Sequence, residues 1–317
     1  MLNFYRLSQD YLKFTGNERL DLINRLSTNL VKPAGKFQYV NTVLTSDKGR
    51  FIDLLGIFDL GDLVFAECSF RNSANVITHL EKYTIMDDFN AENLSGSHEA
   101  VLFIGNNAAS FLEDITGIKV SEQGENVFSV TASHDAIIVK NNNAAGGFKF
   151  IYSLNDKAYW DSVLFTPENF SKYTLKELSD NEYETLRVEL GIPAFGKEMS
   201  DLTNPLECGM ERFVNFTKGC YIGQEVIARL DAYDKISKHL IGLRLDSQDK
   251  VLSEASGKIY IEGKECGFIT SSAYSEKFGS IALGFVKTIF LNYDKTYLIK
   301  INESSIECKL TRLPFTM

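Results

Sequence analysis

Apolar residues first recur at helical spacing, at Leu20, Ile23, Leu26 and Leu30, which predicts an amphipathic helix over residues 17–30 with one buried face. It opens on Thr15-Gly-Asn-Glu18, the spacing of a capping box, and Pro33 and Gly35 supply a stop. From Gln38 the period shortens to that of strands, with runs at Tyr39–Leu44, Phe51–Phe58 and Leu63–Cys68. Asp47-Lys-Gly49 and Leu60-Gly-Asp62 separate them as hairpin turns, so an antiparallel meander is expected. A helix at about 73–82, a strand over 100–105, a helix near 107–115 and further strands up to about Ser153 follow. This mixture lacks regular β-α-β alternation and predicts an α+β arrangement rather than a doubly wound sheet.

Ser179-Asp-Asn-Glu182 is a second capping box, and its helix runs to Leu190 before Gly191 and Pro193. After Lys238 come six short apolar segments, at 240–245, 258–261, 266–270, 281–286, 296–301 and 306–310, which predict a small β-barrel or sandwich. The start of the chain has no basic stretch leading into an apolar run, and no 18-residue apolar span occurs anywhere. Neither secretion nor a membrane is expected, and a cytoplasmic setting fits best. An excess of 42 acidic over 33 basic residues, net −9, gives no general support for direct nucleic-acid binding. The five cysteines, at 68, 208, 220, 266 and 308, form no C-x-x-C pair, and the histidines at 79, 98, 134 and 239 form no ligand-spaced cluster, so neither a disulfide framework nor a metal site is expected.

The densest chemical signal is Lys218-Gly-Cys-Tyr-Ile-Gly-Gln-Glu225, followed by Arg229. A cation two residues from a thiol favours the thiolate, which makes Cys220 the candidate reactive group and Lys218 its candidate activator, against the alternative of an inert buried cysteine in a glycine-rich turn. Gln224 and Glu225 either close a pocket or cap the segment that follows. Arg229 either binds an anion through its planar fork or pairs with Asp231 or Asp234. Glu189 lies in the last turn of its helix, where a carboxylate is mildly unfavourable and asks for a partner. A pterin, with its ring N–H and exocyclic amine, is one such partner; Arg187 or Lys197 is the plain alternative.

The Lys218–Glu225 run resembles the signature of the YgfZ family of folate-binding proteins, within the glycine-cleavage T-protein (aminomethyltransferase) superfamily. Asp21-Leu-Ile-Asn-Arg-Leu-Ser-Thr-Asn29 is similar to the superfamily's N-terminal helix, Leu186–Gly191 to its L-R-x-E-x-G helix, and Leu313-Pro-Phe315 to its ending. The resemblance implies three domains in a ring around a folate channel: residues 1–45 with 160–237, an α+β (ferredoxin-like) domain over 46–159, and a β-barrel over 238–317. It implies tetrahydrofolate as cofactor, with Glu189, Tyr221, Gln224, Glu225 and Arg229 at the folate site and Cys220 beside it. It further implies support of iron-sulfur cluster assembly or repair, including that of tRNA-modifying enzymes, with iron-sulfur proteins or their assembly factors as partners. The alternative is a folate-dependent aminomethyl- or methyltransferase acting on a small amine or sulfur compound. Such transferases usually carry an aspartate just after the strand ending near Cys68, and Ser69–Val76 has none, which favours the accessory role.

Overall fold

In a computed structural model, residues 1–31, 37–232, 235–246, 257–301 and 304–316 are described. The chain divides into two compact units, the first from Met1–Asp47, Ile52–Ser179 and Phe213–Gln224, the second from Lys48–Phe51, Asp180–Arg212 and Glu225–Met317.

The first unit runs β1 (Leu2–Leu7), β2 (Gln9–Thr15), α1 (Arg19–Leu26), β3 (Tyr39–Thr45), β4 (Phe51–Asp59, whose first residue belongs to the second unit), β5 (Val64–Ser69), α2 (Ser73–Tyr83), β6 (Asn90–Asn93), β7 (His98–Ile104) and α3 (Ala108–Thr116). It continues with β8 (Phe128–Val130), β9 (Ala136–Lys140), β10 (Phe148–Ser153), α4 (Lys157–Leu164), α5 (Pro167–Tyr173) and β11 (Leu175–Glu177). Two sheets result, ordered β3-β4-β5-β2-β6 and β11-β1-β7-β10-β9-β8. Alternation along β5 shows how they pack. Val64, Ala66 and Cys68 meet Leu22, Ile23 and Leu26 of α1, whereas Phe65 joins Tyr11, Tyr39, Phe58, Phe128, Val139 and Ile151 between the sheets. In that layer Lys149 of β10 forms a buried ion pair with Glu67 of β5, and the Tyr39 hydroxyl donates to Glu67 at 2.9 Å.

The predicted meander and the two helices after it are present, with three corrections. Helix α1 spans only Arg19–Leu26, and the capping box does not form: its start has no side-chain cap, and Glu18 accepts instead from the Asp88 amide at 2.7 Å. Pro33 and Gly35 lie outside the described residues. Strands β1 and β2 precede the first predicted element; β2 is buried on both faces, with Asp10 and Tyr11 as well as Leu12 inside, which hides the two-residue period. Strand β6, Asn-Ala-Glu-Asn, has no apolar signal because it is a sheet edge.

In the second unit, α6 (Asp180–Leu190) and α7 (Gln224–Ala232, whose first residue belongs to the first unit) accompany β12 (Lys238–Leu245), β13 (Lys258–Ile261), β14 (Lys264–Ser275), β15 (Gly279–Lys287), β16 (Thr296–Ile301) and β17 (Ser304–Thr311). These six strands match the six apolar segments and close a barrel in the order β12-β15-β14-β13-β16-β17 around Leu243, Ile259, Val286, Tyr297 and Ile299.

One clasp fixes each candidate segment. In the first unit the Lys218 ammonium donates to the carbonyls of Asn24 (2.7 Å) in the last turn of α1, of its C-cap Ser27 (2.8 Å) and of Asn29 (2.6 Å) just beyond. Thr28 Oγ1 donates to the Phe213 carbonyl and Asn215 N–H to the Thr28 carbonyl, so residues 213–218 are held along the same turn. In the second unit Gly191 ends α6 at φ +67°, where a Cβ would stand 2.8 Å from Leu313, and Phe315 N–H donates to the Glu189 carbonyl at 2.8 Å. Two pairs of distant sequence runs thus become two local contacts.

Behind α6 lies a charged network. Arg187, almost buried, donates to Glu184, to the Ile192 carbonyl and to Glu198, and Glu198, fully buried, also accepts from Ala194 N–H, Thr270 and Ser271. With four hydrogen bonds on its two oxygens, Glu198 meets the condition for holding a charge away from water.

Lys218→Met should lower unfolding stability by about 2–3 kcal/mol, because one buried and two partly buried carbonyls lose a charged donor; urea denaturation checks this, and an unchanged midpoint would show that the clasp contributes nothing. A pH dependence follows from Glu184. Burial pushes its carboxyl up, but hydrogen bonds and charge from Arg187 and Lys197 outweigh this and bring it down to about 2 from 4.5. The unfolded chain then takes up the proton first, so stability present above about pH 4.5 is lost as the pH falls towards 2. Denaturation midpoints measured from neutral to acid pH should fall less steeply for Glu184→Gln than for the wild type.

Candidate functional site

Residues 218–224 form an anchored loop in the first unit. Lys218 fixes one end; at the other, Ile222 N–H donates to the Arg25 carbonyl at 3.0 Å and Thr45 Oγ1 donates to the Ile222 carbonyl at 2.7 Å. Cys220 lies between these anchors and is exposed, whereas Cys68, Cys208, Cys266 and Cys308 are buried. Burial pushes the Cys68, Cys208 and Cys266 thiols up and the Cys308 thiol up to about 12, so these four are packing residues held as thiols. The reading of Cys220 as a buried residue is thereby overturned.

Lys218 is placed differently from the sequence-based expectation. An ammonium has three donors, and all three meet backbone carbonyls, leaving none to hydrogen-bond the Cys220 sulfur. Desolvation brings its pKa down to about 8. Tyr221 is buried beneath it, with the ammonium 5.3 Å from the ring centroid, and burial pushes the phenol up to about 12. Gln224 opens α7, its N–H donating to the Tyr221 carbonyl at 3.2 Å; Glu225 stands exposed in the first turn, the favourable end of the helix for a carboxylate. Arg229 is exposed and forms no ion pair with Asp231 among the described residues; Asp234 lies outside them. Lys218, Cys220, Tyr221 and Gln224 therefore share one loop of the first unit, while Glu189, Glu225 and Arg229 belong to the second.

Glu189 is half-buried on α6, and its partner is neither Arg187 nor Lys197, both of which pair with Glu184. Instead, Ser275 of β14 donates to its Oε1 at 2.5 Å. Oε2 has no hydrogen bond among the described residues, so the side chain is oriented by one oxygen and able to accept through the other. Ser275 was not foreseen because it is 86 residues away and belongs to no motif.

Nor was Asp53, on β4. Its buried carboxylate accepts from Ser69 N–H (3.0 Å), Ser69 Oγ (2.6 Å) and Asn72 Nδ2 (2.9 Å), holding the turn that links β5 to α2. Burial raises its pKa, with these hydrogen bonds opposing the rise. The stretch Ser69–Val76 contains no aspartate, and Asp53, fully buried with both oxygens engaged by the turn, is a structural carboxylate.

The model of the GCVT N-terminal domain matches residues 9–218, and that of the glycine cleavage T-protein C-terminal barrel domain matches residues 238–316. The aminomethyltransferase of Flavobacterium psychrophilum is 23% identical over 315 residues, spanning 95% of this chain and 83% of that protein. A putative chloroplastic transferase of Arabidopsis thaliana is 40% identical over 106 residues, 33% of this chain and 24% of that one. The fold matches the crystal structure of glycine cleavage system aminomethyltransferase T from Bartonella henselae with a TM-score of 0.84 at 16% identity, over 99% of this chain and 86% of that one. No helix among the described residues is long and apolar enough to cross a membrane. With its α+β part matching the N-terminal family domain and its closed six-stranded barrel matching the C-terminal one, this chain belongs to the glycine cleavage T-protein family.

Proposed function

We propose that this protein binds tetrahydrofolate and transfers a one-carbon group between the folate and a small amine or sulfur compound, as an aminomethyl- or methyltransferase. The observation that carries this reading is Glu189: one oxygen fixed by Ser275, the other open, on a helix locked by the Arg187–Glu198 network. A carboxylate held this way suits the adjacent N–H and amine donors of a pterin, and the similarity to aminomethyltransferases along 95% of the chain supports the chemistry. Tyr221, Gln224, Glu225 and Arg229 are the further residues assigned to the folate.

The exposed thiol of Cys220 favours a second reading, that of a YgfZ-type folate-binding protein supporting iron-sulfur cluster assembly or repair. Here folate occupies the same site without turnover, and the thiol acts towards an iron-sulfur protein or its assembly factor.

Calorimetric titration with tetrahydrofolate should show binding by the wild type and about thirtyfold weaker binding by Glu189→Ala, the loss of about 2 kcal/mol of charge-assisted hydrogen bonding. Glu189→Gln, which keeps an acceptor for Ser275, separates loss of charge from loss of fold. Absence of binding by the wild type would remove the folate assignment. Isotope transfer from a labelled aminomethyl or methyl donor to tetrahydrofolate supports the transferase; binding without transfer, together with loss of iron-sulfur enzyme activity in a Cys220→Ala strain, supports the second reading.

A further inference from the structure

We propose that Arg244 of β12 is a positioning residue for Glu189, acting through two aromatic rings whose own backbones hold Glu189 from both sides. The role rests on the reading of Glu189 as the pterin-binding carboxylate.

Along β12 the side chains of Ile241, Leu243 and Leu245 fill the barrel core, so Gly242 and Arg244 lie on its outer face. The Phe315 ring rests on Gly242, where a Cβ would stand 2.7 Å from the ring's Cζ. It joins Val188 of α6, Ala273 of β14 and Ile281 and Leu283 of β15, with Phe278 packed against this group. The rings of Phe278 and Phe315 are 5.8 Å apart, and the Arg244 guanidinium lies over both, 5.1 Å from the first centroid and 5.9 Å from the second. Arg244 also donates to the Thr316 carbonyl.

The backbone N–H of each ring's residue leads to Glu189. That of Phe315 donates to the Glu189 carbonyl at 2.8 Å. That of Phe278 donates to Ser275 Oγ at 3.1 Å, as does Lys277 N–H, and Ser275 Oγ donates in turn to Glu189 Oε1. With two amides on its lone pairs, the Ser275 hydroxyl has its proton left for Glu189, which gives the carboxylate its direction. The contacts close a circuit, from the Glu189 carbonyl to Phe315, across the paired rings to Phe278, and back through Ser275 to the Glu189 carboxylate. Loosening the rings would release the Phe278 amide, free the hydroxyl to turn, and change how Oε2 is presented.

Barrel stability does not account for an arginine at this position. Arg244 stands opposite Lys309 in the β12–β17 register, where like charges are unfavourable, and it pairs with no carboxylate among the described residues. Its contacts are the two rings and one carbonyl, all on the segments that converge on Glu189.

Hydrogen exchange followed by NMR on the full-length protein tests the clamp without ligand. In Arg244→Leu and in Arg244→Gln the Phe278 and Phe315 amides should exchange about tenfold faster than in the wild type, with the amides of β13 and β16 unchanged. Calorimetric titration with tetrahydrofolate then tests positioning through a double-mutant cycle. Arg244→Leu should weaken binding about fivefold when Glu189 is present and leave it unchanged in the Glu189→Ala background, because the arginine acts only through that carboxylate. Wild-type exchange at both amides in both variants, unchanged affinity in Arg244→Leu, or an equal loss in the two backgrounds would overturn the positioning role while folate binding stands. Absence of binding by the wild type would overturn both.

Discussion

The ammonium of Lys218 organises the first unit's candidate loop. An α-helix leaves carbonyls without partners at its end, and a single cation with three donors satisfies that of Asn24 in the last turn together with those of the C-cap Ser27 and of Asn29 in the segment that follows. Leucine or methionine would fill the same volume and leave these acceptors dry; arginine's planar fork would not reach three carbonyls converging on one point. Because the ammonium is anchored, the residues after it have fixed positions: Tyr221 packs beneath it, Ile222 is tied to Arg25 and Thr45, and Cys220 is left facing solvent. Exposure of that thiol is a consequence of the clasp.

Buried charge recurs as a fixing device. Glu198 with Arg187 sets α6 against β14, and Glu67 with Lys149 joins the two sheets of the first unit. Such pairs give little net stability over apolar residues of equal size, but removing one partner leaves an uncompensated charge, so they select one arrangement over nearby alternatives. For α6 the result is a rigid helix whose last turn presents Glu189, oriented through Ser275, beside a glycine that allows Leu313 to close over it. Orientation by one oxygen with the other open is the property a ligand-binding carboxylate requires, and it explains why a carboxylate is tolerated at the negative end of a helix.

The cysteines divide by environment rather than by sequence. Four are buried and behave as small apolar side chains, with thiols held neutral by desolvation; the fifth is in the loop that Lys218 fixes. The two functional readings differ chiefly in whether that thiol or the folate carbon is the reacting centre. Both use the same scaffold, which is why family membership alone does not separate them.

By itself the sequence determined the elements whose apolar period is clean. The β3–β5 meander, helices α2, α3 and α6, and all six barrel strands lie where apolar runs bounded by turn residues or helical spacing place them. It also identified the runs that matter, at Asp21–Asn29, Leu186–Gly191, Lys218–Glu225 and Leu313–Phe315. Only the tertiary structure decided what those runs do to one another: Lys218 caps α1 across 189–194 residues of chain, and Leu313 closes over Gly191. Strands β2 and β6 escaped detection because one is buried on both faces and the other is a polar edge. Asp53, Glu198 and Ser275 were illegible for a related reason: a lone polar residue has no local pattern, and its role is set by the partners that folding brings within 3 Å of it.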